Sequence, residues 1–119
     1  MNLPFDVSYV LYALAALFVV WTLLKRRGDI SSAEARMLVA ERGARLLDVR
    51  TPGEFASGHL DGALNIPVSE LGQSLQKVGP KQTPVVVYCA SGSRSATAAR
   101  VLRAHGWQTV RNLGAMARW

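Results

Sequence analysis

Cys89 is the residue of this 119-residue chain best placed to act as a nucleophile. It follows a short apolar run, residues 84–88, and precedes residues 95–105, which are rich in Ala, Arg and Leu and stop at Gly106. A continuous apolar run is typical of a parallel strand buried on both faces, and the second composition is typical of a helix with a glycine at its end. The sequence therefore predicts that Cys89 opens a turn from a strand into the N-terminus of a helix.

A thiol below a helix N-terminus lies in a field that favours its thiolate. Backbone N–H groups there have no helical partners and, together with the helix dipole, stabilise an anion. Thiolates in such positions have lowered pKa values and are reactive. The alternative for a lone cysteine, a small buried apolar side chain, does not explain the polar loop that follows. We expect that loop to bind a substrate, and its residues are Ala90, Ser91, Gly92, Ser93, Arg94 and Ser95.

Two residues of this loop have distinct predicted roles. Gly92 lets the loop curl because glycine accepts φ values that other residues resist. Arg94 brings a fixed positive charge that can attract an anionic donor. The alternative for Arg94 is a residue at the helix start that is paired with a carboxylate, since charges near the interior need partners.

Four other polar side chains are predicted to be structural. Asp48 and Arg50 follow another buried strand, near the site by topology, and most such residues form ion pairs. His59 is expected to fix its glycine-rich loop through a hydrogen bond, and His105 lies at a predicted helix C-terminus, where the dipole favours it. One cysteine and two distant histidines indicate neither a disulfide nor a metal site, and we expect no cofactor.

The rest of the sequence predicts the elements that position this loop. Residues 31–34 match a capping box, which starts a helix that runs to about Arg42 and stops at Gly43. Strands that alternate with helices over about 90 residues indicate one α/β domain with a mostly parallel sheet, and ligands bind at the carboxyl ends of such strands. The other predicted elements are strands at 45–49, 63–66 and 109–112, a turn and one helical turn within 51–56, and a helix at 69–78.

An uncharged apolar segment, residues 7–24, precedes this domain. As a helix, its 18 residues would be roughly 27 Å long, near the minimum needed to cross a bilayer. The alternatives are a cleaved signal peptide, which needs a basic N-terminal region and a small-residue cleavage site, and a buried core helix. The three basic residues at 25–27 favour a transmembrane helix instead. Aromatic residues that could anchor it at the interfaces are Phe5, Tyr9, Tyr12 and Trp21.

The basic flank also predicts the topology. Positive residues prefer the cytoplasmic side, so we expect a single-pass protein with its N-terminus outside and its domain in the cytoplasm, at the inner membrane if the source is a bacterium. A lone cysteine fits that reducing compartment. The predicted order is a tail at 1–6, the span at 7–24, a basic juxtamembrane linker at 25–30 and the domain at 31–119.

The charge of the domain limits its partners. Residues 28–119 carry eleven basic and seven acidic side chains. This mild positive excess suits a small anionic substrate or the surface of a lipid bilayer. No basic run with interleaved aromatic residues occurs, so we do not expect nucleic-acid binding.

Four segments, in order along the chain, resemble the rhodanese family of sulfurtransferases. One is Cys89-x-x-Gly-x-Arg-Ser after an apolar strand. The others are Leu47–Arg50 with Glu54-Phe55, Gly58–Ala63 with Asn65–Pro67, and Asn112–Trp119. The chain is thus identified as a single-domain member with an N-terminal membrane anchor. The resemblance implies a rhodanese-like domain, with a mostly parallel five-stranded sheet flanked by helices.

The resemblance also implies an activity that depends on Cys89. A sulfane sulfur from thiosulfate or a persulfide would form a persulfide on Cys89 and then pass to cyanide or a thiol. Related phosphatases and arsenate reductases have one more residue between the cysteine and the arginine, so the shorter loop here favours a single sulfur over a tetrahedral oxyanion. One alternative is a membrane-tethered module that delivers sulfur to a partner protein with little small-molecule turnover. An inactive interaction domain is less favoured because Cys89 and Arg94 are intact.

Overall fold

The computed structural model describes residues 6–25 and 28–119. Parts of the predicted anchor therefore lie outside the described residues. These are the first five residues, which include Phe5, and the basic residues Arg26 and Arg27.

The apolar N-terminal segment forms helix α1, Val7–Lys25. Its window Val7–Leu24 has a mean hydropathy of 2.2 and is not buried anywhere along its length. Helix α1 is therefore not a core helix of the domain. Among the described residues it alone is long and apolar enough to cross a membrane.

The domain is built on a parallel sheet of four strands in the order β2-β1-β3-β4. The strands are β1 Arg45–Asp48, β2 Leu64–Asn65, β3 Val85–Cys89 and β4 Val110–Ala115. The expectation of five strands was wrong. The four described strands correspond to the four apolar segments in the sequence. A short irregular segment, residues 28–30, covers the free side of β4.

That segment, predicted to be part of a linker, is docked on β4. The backbone N–H of Asp29 donates to the carbonyl of Asn112 at 2.7 Å, and the N–H of Asn112 donates to the Asp29 carboxylate at 2.7 Å. A Cβ on Gly28 would collide with the backbone carbonyls of Asn112 and Leu113. Ile30 is buried in the core. Residues 28–30 therefore belong to the folded domain.

Capping signals predicted the limits of helix α2 correctly. Helix α2, Ser32–Arg42, begins after Ser31, whose side chain accepts from the N–H of Glu34, and ends at Gly43 in the left-handed region. Helix α3, Pro52–Ala56, begins with a capping box. The helix after β3 is α5, Ser93–Ala104, and a short 3-10 helix, Met116–Arg118, follows β4. The predicted start and end of α2 are confirmed, although only the Ser31 half of its capping box forms. The capping box of α3 was not predicted.

The helix predicted at 69–78 was wrong in its extent. The structure has a one-turn helix, α4 Val68–Leu71, and a separate 3-10 helix, Leu75–Lys77. Gly72 ends α4, and a glycine inside a helix costs about 1 kcal/mol relative to alanine. Leu71 is fully buried, so the break does not remove it from the core.

The core lies on both faces of the sheet because side chains alternate along a strand. In β3, Val85, Val87 and Cys89 belong to a cluster with residues of α5, whereas Val86 and Tyr88 belong to a cluster that includes Ala35 of α2. Cys89 therefore lies on the α5 side of the sheet.

Candidate active site

The loop from β3 to α5 places Cys89 beneath a helix N-terminus, as predicted. Cys89 is the last residue of β3, and Gly92 precedes the first turn of α5. Gly92 has a φ of 101°, which lies in the region that favours glycine. Its carbonyl accepts the N–H of Ala96. The turn therefore depends on a glycine at this position.

The sulfur of Cys89 lies among hydrogen-bonding groups of the loop. The N–H of Gly92 donates to Sγ at 2.9 Å, and Sγ lies 3.5 Å from the hydroxyl of Ser95. That hydroxyl donates to the carbonyl of Gly92 at 3.0 Å. The Cys89 side chain is fully buried, so any reacting molecule must enter the loop to reach it.

Two opposing effects act on the pKa of the Cys89 thiol. Burial, the larger single effect, raises it. A hydrogen bond with the Ser95 side chain and hydrogen bonds from the backbone N–H groups of Ser95, Gly92 and Ser91 lower it, and their sum prevails. The pKa of Cys89 therefore lies below the ordinary value of a thiol, which favours the nucleophilic thiolate.

Arg94 is paired with a carboxylate from another element. Its Nη1 and Nη2 donate to the two oxygens of Glu54 at 2.6 and 3.0 Å, with both side chains about one-third exposed. The alternative that the sequence left open for Arg94, a residue at a helix start paired with a carboxylate, matches this contact. Its predicted attraction of an anionic donor remains a prediction.

Glu54 was missed as a site residue by the sequence reasoning. The capping box that starts α3 fixes its carboxylate, which accepts from the N–H and the hydroxyl of Thr51 at 3.1 Å each. Hydrogen bonds from Arg94, and next from the Thr51 backbone, lower the pKa of Glu54 to about 2. The Thr51-x-x-Glu54 spacing signals the cap, but nothing local signals the partner 40 residues away.

Asp48 and Arg50 form the ion pair that was expected after β1. Arg50 Nη2 and Nε lie 2.7 and 3.1 Å from Asp48 Oδ2, both side chains are buried, and Nη2 also donates to the carbonyl of Gly58 at 2.7 Å. The hydrogen bond with Asp48 raises the pKa of Arg50. None of these atoms bonds to the Cys89 sulfur, so the pair acts by joining β1 to the 58–62 loop.

His59 lies on the surface of that loop. Its Nδ1 is 2.9 Å from the carbonyl of Phe55, and its ring stacks on the Phe55 ring at 3.7 Å. Tyr88, which the sequence reasoning did not single out, accepts the N–H of Leu60 through its hydroxyl at 3.1 Å. Burial raises the pKa of Tyr88 to about 12. These contacts support the loop-fixing role expected for His59.

The remaining loop residues form the outer part of the site. Ala90, Ser91 and Ser93 are exposed, and the hydroxyls of the two serines lie 3.4 Å apart. The described residues contain no group of three or more His, Cys, Asp or Glu side chains that could hold a metal ion. The chemistry available at this site is that of one thiolate and the donors around it.

Comparisons with known proteins agree with this geometry. The family model described as the rhodanese-like domain matches residues 31–119. An uncharacterized protein of Bacillus subtilis, YqhL, is 34% identical over 113 residues, which cover 94% of this chain and 85% of that protein.

Two further comparisons concern human proteins. The human thiosulfate:glutathione sulfurtransferase is 38% identical over 104 residues, which cover 76% of this chain and 90% of that enzyme. The structure of a human single-domain sulfurtransferase superposes with a TM-score of 0.69 at 36% identity, covering 76% of this chain and 92% of that one. The likeness therefore includes both the sequence and the arrangement of the strands and helices.

Proposed function

Because this chain belongs to the rhodanese-like domain family, we propose that it is a sulfurtransferase that carries a sulfane sulfur on Cys89. The sulfur comes from thiosulfate or a persulfide and passes to cyanide or a thiol. The observation that carries the proposal is the position of the Cys89 sulfur at the N-terminus of α5, 2.9 Å from the N–H of Gly92.

The first half-reaction is a displacement at sulfur. The Cys89 thiolate, whose proton has gone to solvent, attacks the outer sulfur of thiosulfate. A new S–S bond forms as the old one breaks, and sulfite leaves with the electron pair of that bond. The product is a Cys89 persulfide with its negative charge on the outer sulfur. The lowered pKa of Cys89 supplies the thiolate that this step needs.

The loop supports the persulfide through its backbone. The N–H groups of Ser91, Gly92 and Ser95 act on the Cys89 sulfur at a helix N-terminus, where their dipoles favour an anion. Such donors are already oriented before the reaction, so they stabilise charge without reorganising. The side chains of Ala90, Ser91 and Ser93 are small and exposed, and we expect them to let the outer sulfur of a donor approach Cys89.

The second half-reaction needs an acceptor from outside, because Cys89 is the sole cysteine of the chain. An external thiolate or cyanide attacks the outer sulfur of the persulfide. It leaves with that sulfur as a new persulfide or as thiocyanate, and the Cys89 thiolate is restored. The name of the human relative, thiosulfate:glutathione sulfurtransferase, supports a thiol acceptor.

We further propose that α1 anchors the domain in the inner membrane, with the domain on the cytoplasmic side. The support is the length, composition and exposure of α1, together with the three basic residues that follow in the sequence. The match to the Bacillus subtilis protein spans 94% of the chain, so it includes most of the α1 sequence.

Intact mass spectrometry of the full chain in detergent tests the reaction. After incubation with thiosulfate, the parent protein is expected to gain the mass of one sulfur atom, and cyanide should remove it. The Cys89→Ala variant is expected to gain nothing. An absence of sulfur uptake from both thiosulfate and a persulfide donor would refute the enzyme proposal.

A second candidate function is supported by the complete burial of Cys89. A domain with little small-molecule turnover could deliver sulfur to a partner protein whose own thiol enters the loop. This candidate predicts stoichiometric loading of Cys89, slow turnover with thiosulfate and cyanide, and a partner that co-purifies from membranes and accepts the sulfur. Rapid multiple turnover without a partner would favour the first candidate.

A further inference from the structure

Arg94, the arginine of the Cys89 loop, already has its guanidinium paired with a carboxylate. Both terminal nitrogens of Arg94 donate to Glu54, one to each carboxylate oxygen, at 2.6 and 3.0 Å. A bidentate pair of this kind is the strongest and most directional contact that an arginine makes with a carboxylate. When a donor anion approaches the loop, the positive charge of Arg94 is therefore already balanced by the carboxylate of Glu54.

Glu54 is held at the loop by contacts that do not involve Arg94. Its carboxylate accepts from the N–H of Thr51, and its own N–H donates to the Thr51 hydroxyl at 3.2 Å. The carboxylate would therefore remain near the loop if Arg94 turned toward a donor. Because the pKa of Glu54 is about 2, it carries a full negative charge at neutral pH.

Two further arginines lie at this end of the sheet, and Arg118, which follows β4, donates to the carbonyls of Leu113 and Ile30. Arg50 is bound to Asp48 and to the carbonyl of Gly58. The positive field that remains at the loop comes from backbone N–H groups and the α5 dipole, which suit one negatively charged sulfur. A dianion carries a second negative charge, and the loop has no unpaired guanidinium to bind it.

We propose that Glu54 is a specificity-determining residue, which lowers the affinity of the loop for dianionic donors such as thiosulfate relative to monoanionic persulfides. This inference rests on the proposed function and defines the donor class of that site. Glu54 touches neither the sulfur of Cys89 nor the donor, and it acts by holding the charge of Arg94.

The first test is Glu54→Gln in the full chain in detergent, with single-turnover sulfur uptake by Cys89 followed by intact mass. Glutamine keeps the size and the cap acceptor of Glu54 but removes its charge. The half-saturating thiosulfate concentration is expected to fall roughly twofold to fivefold, the range for one partly exposed charged contact. The limiting rate should stay within about twofold of the parent's, and half-saturation by cysteine persulfide should change less than twofold.

A matched control removes a carboxylate that is exposed on α2. Glu41→Gln makes the same chemical change away from the loop and is expected to leave both half-saturating concentrations unchanged. An equal fall in this variant would assign the effect to net charge and overturn the proposal.

A double variant gives a second test that applies even if Glu54→Gln alone does not fold, because removing both partners of the pair leaves no unmatched charge. Arg94→Gln leaves the Glu54 carboxylate unmatched, so it is expected to raise the half-saturating thiosulfate concentration. Adding Glu54→Gln should reverse most of that rise. If Arg94 instead bound thiosulfate directly, the double variant would remain as impaired as Arg94→Gln, and the proposal would be wrong.

The two proposals fail in different ways. No sulfur uptake from either donor would refute the proposed function and this inference together. Normal uptake, with a thiosulfate half-saturation that is unchanged or raised in Glu54→Gln, would overturn only the role of Glu54.

Discussion

The backbone N–H of Gly92 lies 2.9 Å from the Sγ of Cys89, three residues earlier in the chain. This contact joins the strand that ends at Cys89 to the helix that begins after Gly92, and it brings a donor to the sulfur without a charged side chain. The lowered pKa of the thiol therefore has two sources, its hydrogen bond with the Ser95 side chain and the backbone N–H groups of the loop.

The pH dependence of sulfur uptake follows from the lowered pKa of Cys89. Only the thiolate attacks, so the uptake rate should rise with pH and level off above the pKa of Cys89. Since that pKa is lowered, the midpoint is expected below that of an unburied free cysteine measured under the same conditions. Single-turnover rates between pH 5 and 10, approximately the range that brackets the ordinary pKa of a thiol, measure the midpoint. A midpoint at or above the free-cysteine value would contradict the prediction.

Ser95→Ala is expected to move that midpoint upward, because the hydroxyl of Ser95 contributes to the lowered pKa of Cys89. Thr97→Ala removes a hydroxyl that lies on the exposed side of α5 and serves as the matched control. Its midpoint should coincide with that of the parent. Equal shifts in the two variants would show that the hydroxyl of Ser95 has no specific effect on the thiol.

Asp48→Ala is expected to destabilise the domain by about 3–5 kcal/mol, the cost of leaving the buried guanidinium of Arg50 without its partner. Denaturant unfolding of the full chain in detergent, followed by tryptophan fluorescence, measures the change. Asp61→Ala, at an exposed position of the neighbouring loop, should change stability by less than about 0.5 kcal/mol. Similar stabilities for the two variants would refute a structural role for the pair.

Gly28→Ala is expected to release the docked segment, because the added Cβ would collide with the carbonyls of Asn112 and Leu113. Amide hydrogen exchange at Asp29 and Asn112 should then become at least about tenfold faster, while α5 keeps its protection. Gly53→Ala is the control, since a Cβ there meets no atom within 4 Å. Unchanged exchange in Gly28→Ala would show that the segment is not held in place by this close approach.

The membrane topology has its own test. A reporter enzyme fused after Trp119 is expected to be active on the cytoplasmic side, and the fusion should stay with membranes during alkaline extraction. Deleting residues 7–24 should release it. Activity confined to the outer side would overturn the predicted orientation, and extraction of the full chain would overturn the anchor.

The parts of the fold that the sequence predicted correctly depend on local signals. The limits of α2 follow from Ser31 and Gly43, which act within one turn of the helix ends. The buried strand before Cys89 follows from its continuous apolar run. The break between α4 and the next 3-10 helix was missed because Leu71 and Leu75 keep helical spacing on either side of Gly72.

The parts that could not be predicted depend on contacts between distant residues. The charge of Arg94 meets Glu54 across 40 positions, and the carboxylate of Asp29 meets the backbone of Asn112 across 83. Sequence patterns indicate which residues form an element, but not which side chains meet when elements pack. The expectation of five strands came from the family resemblance, whereas the strand patterns in the sequence itself predict the four strands that the described sheet has.

The docking of residues 28–30 on β4 also limits how far the domain can travel. Three Cα–Cα steps of about 3.8 Å separate Lys25, the last residue of α1, from Gly28, so the two lie within about 11 Å of each other. With α1 embedded as proposed, the loop that contains Cys89 stays in a thin layer next to the bilayer. It diffuses along the membrane and not through the whole cytoplasm. Encounters with acceptors that share the membrane then become two-dimensional, and their frequency depends on surface density rather than on bulk concentration.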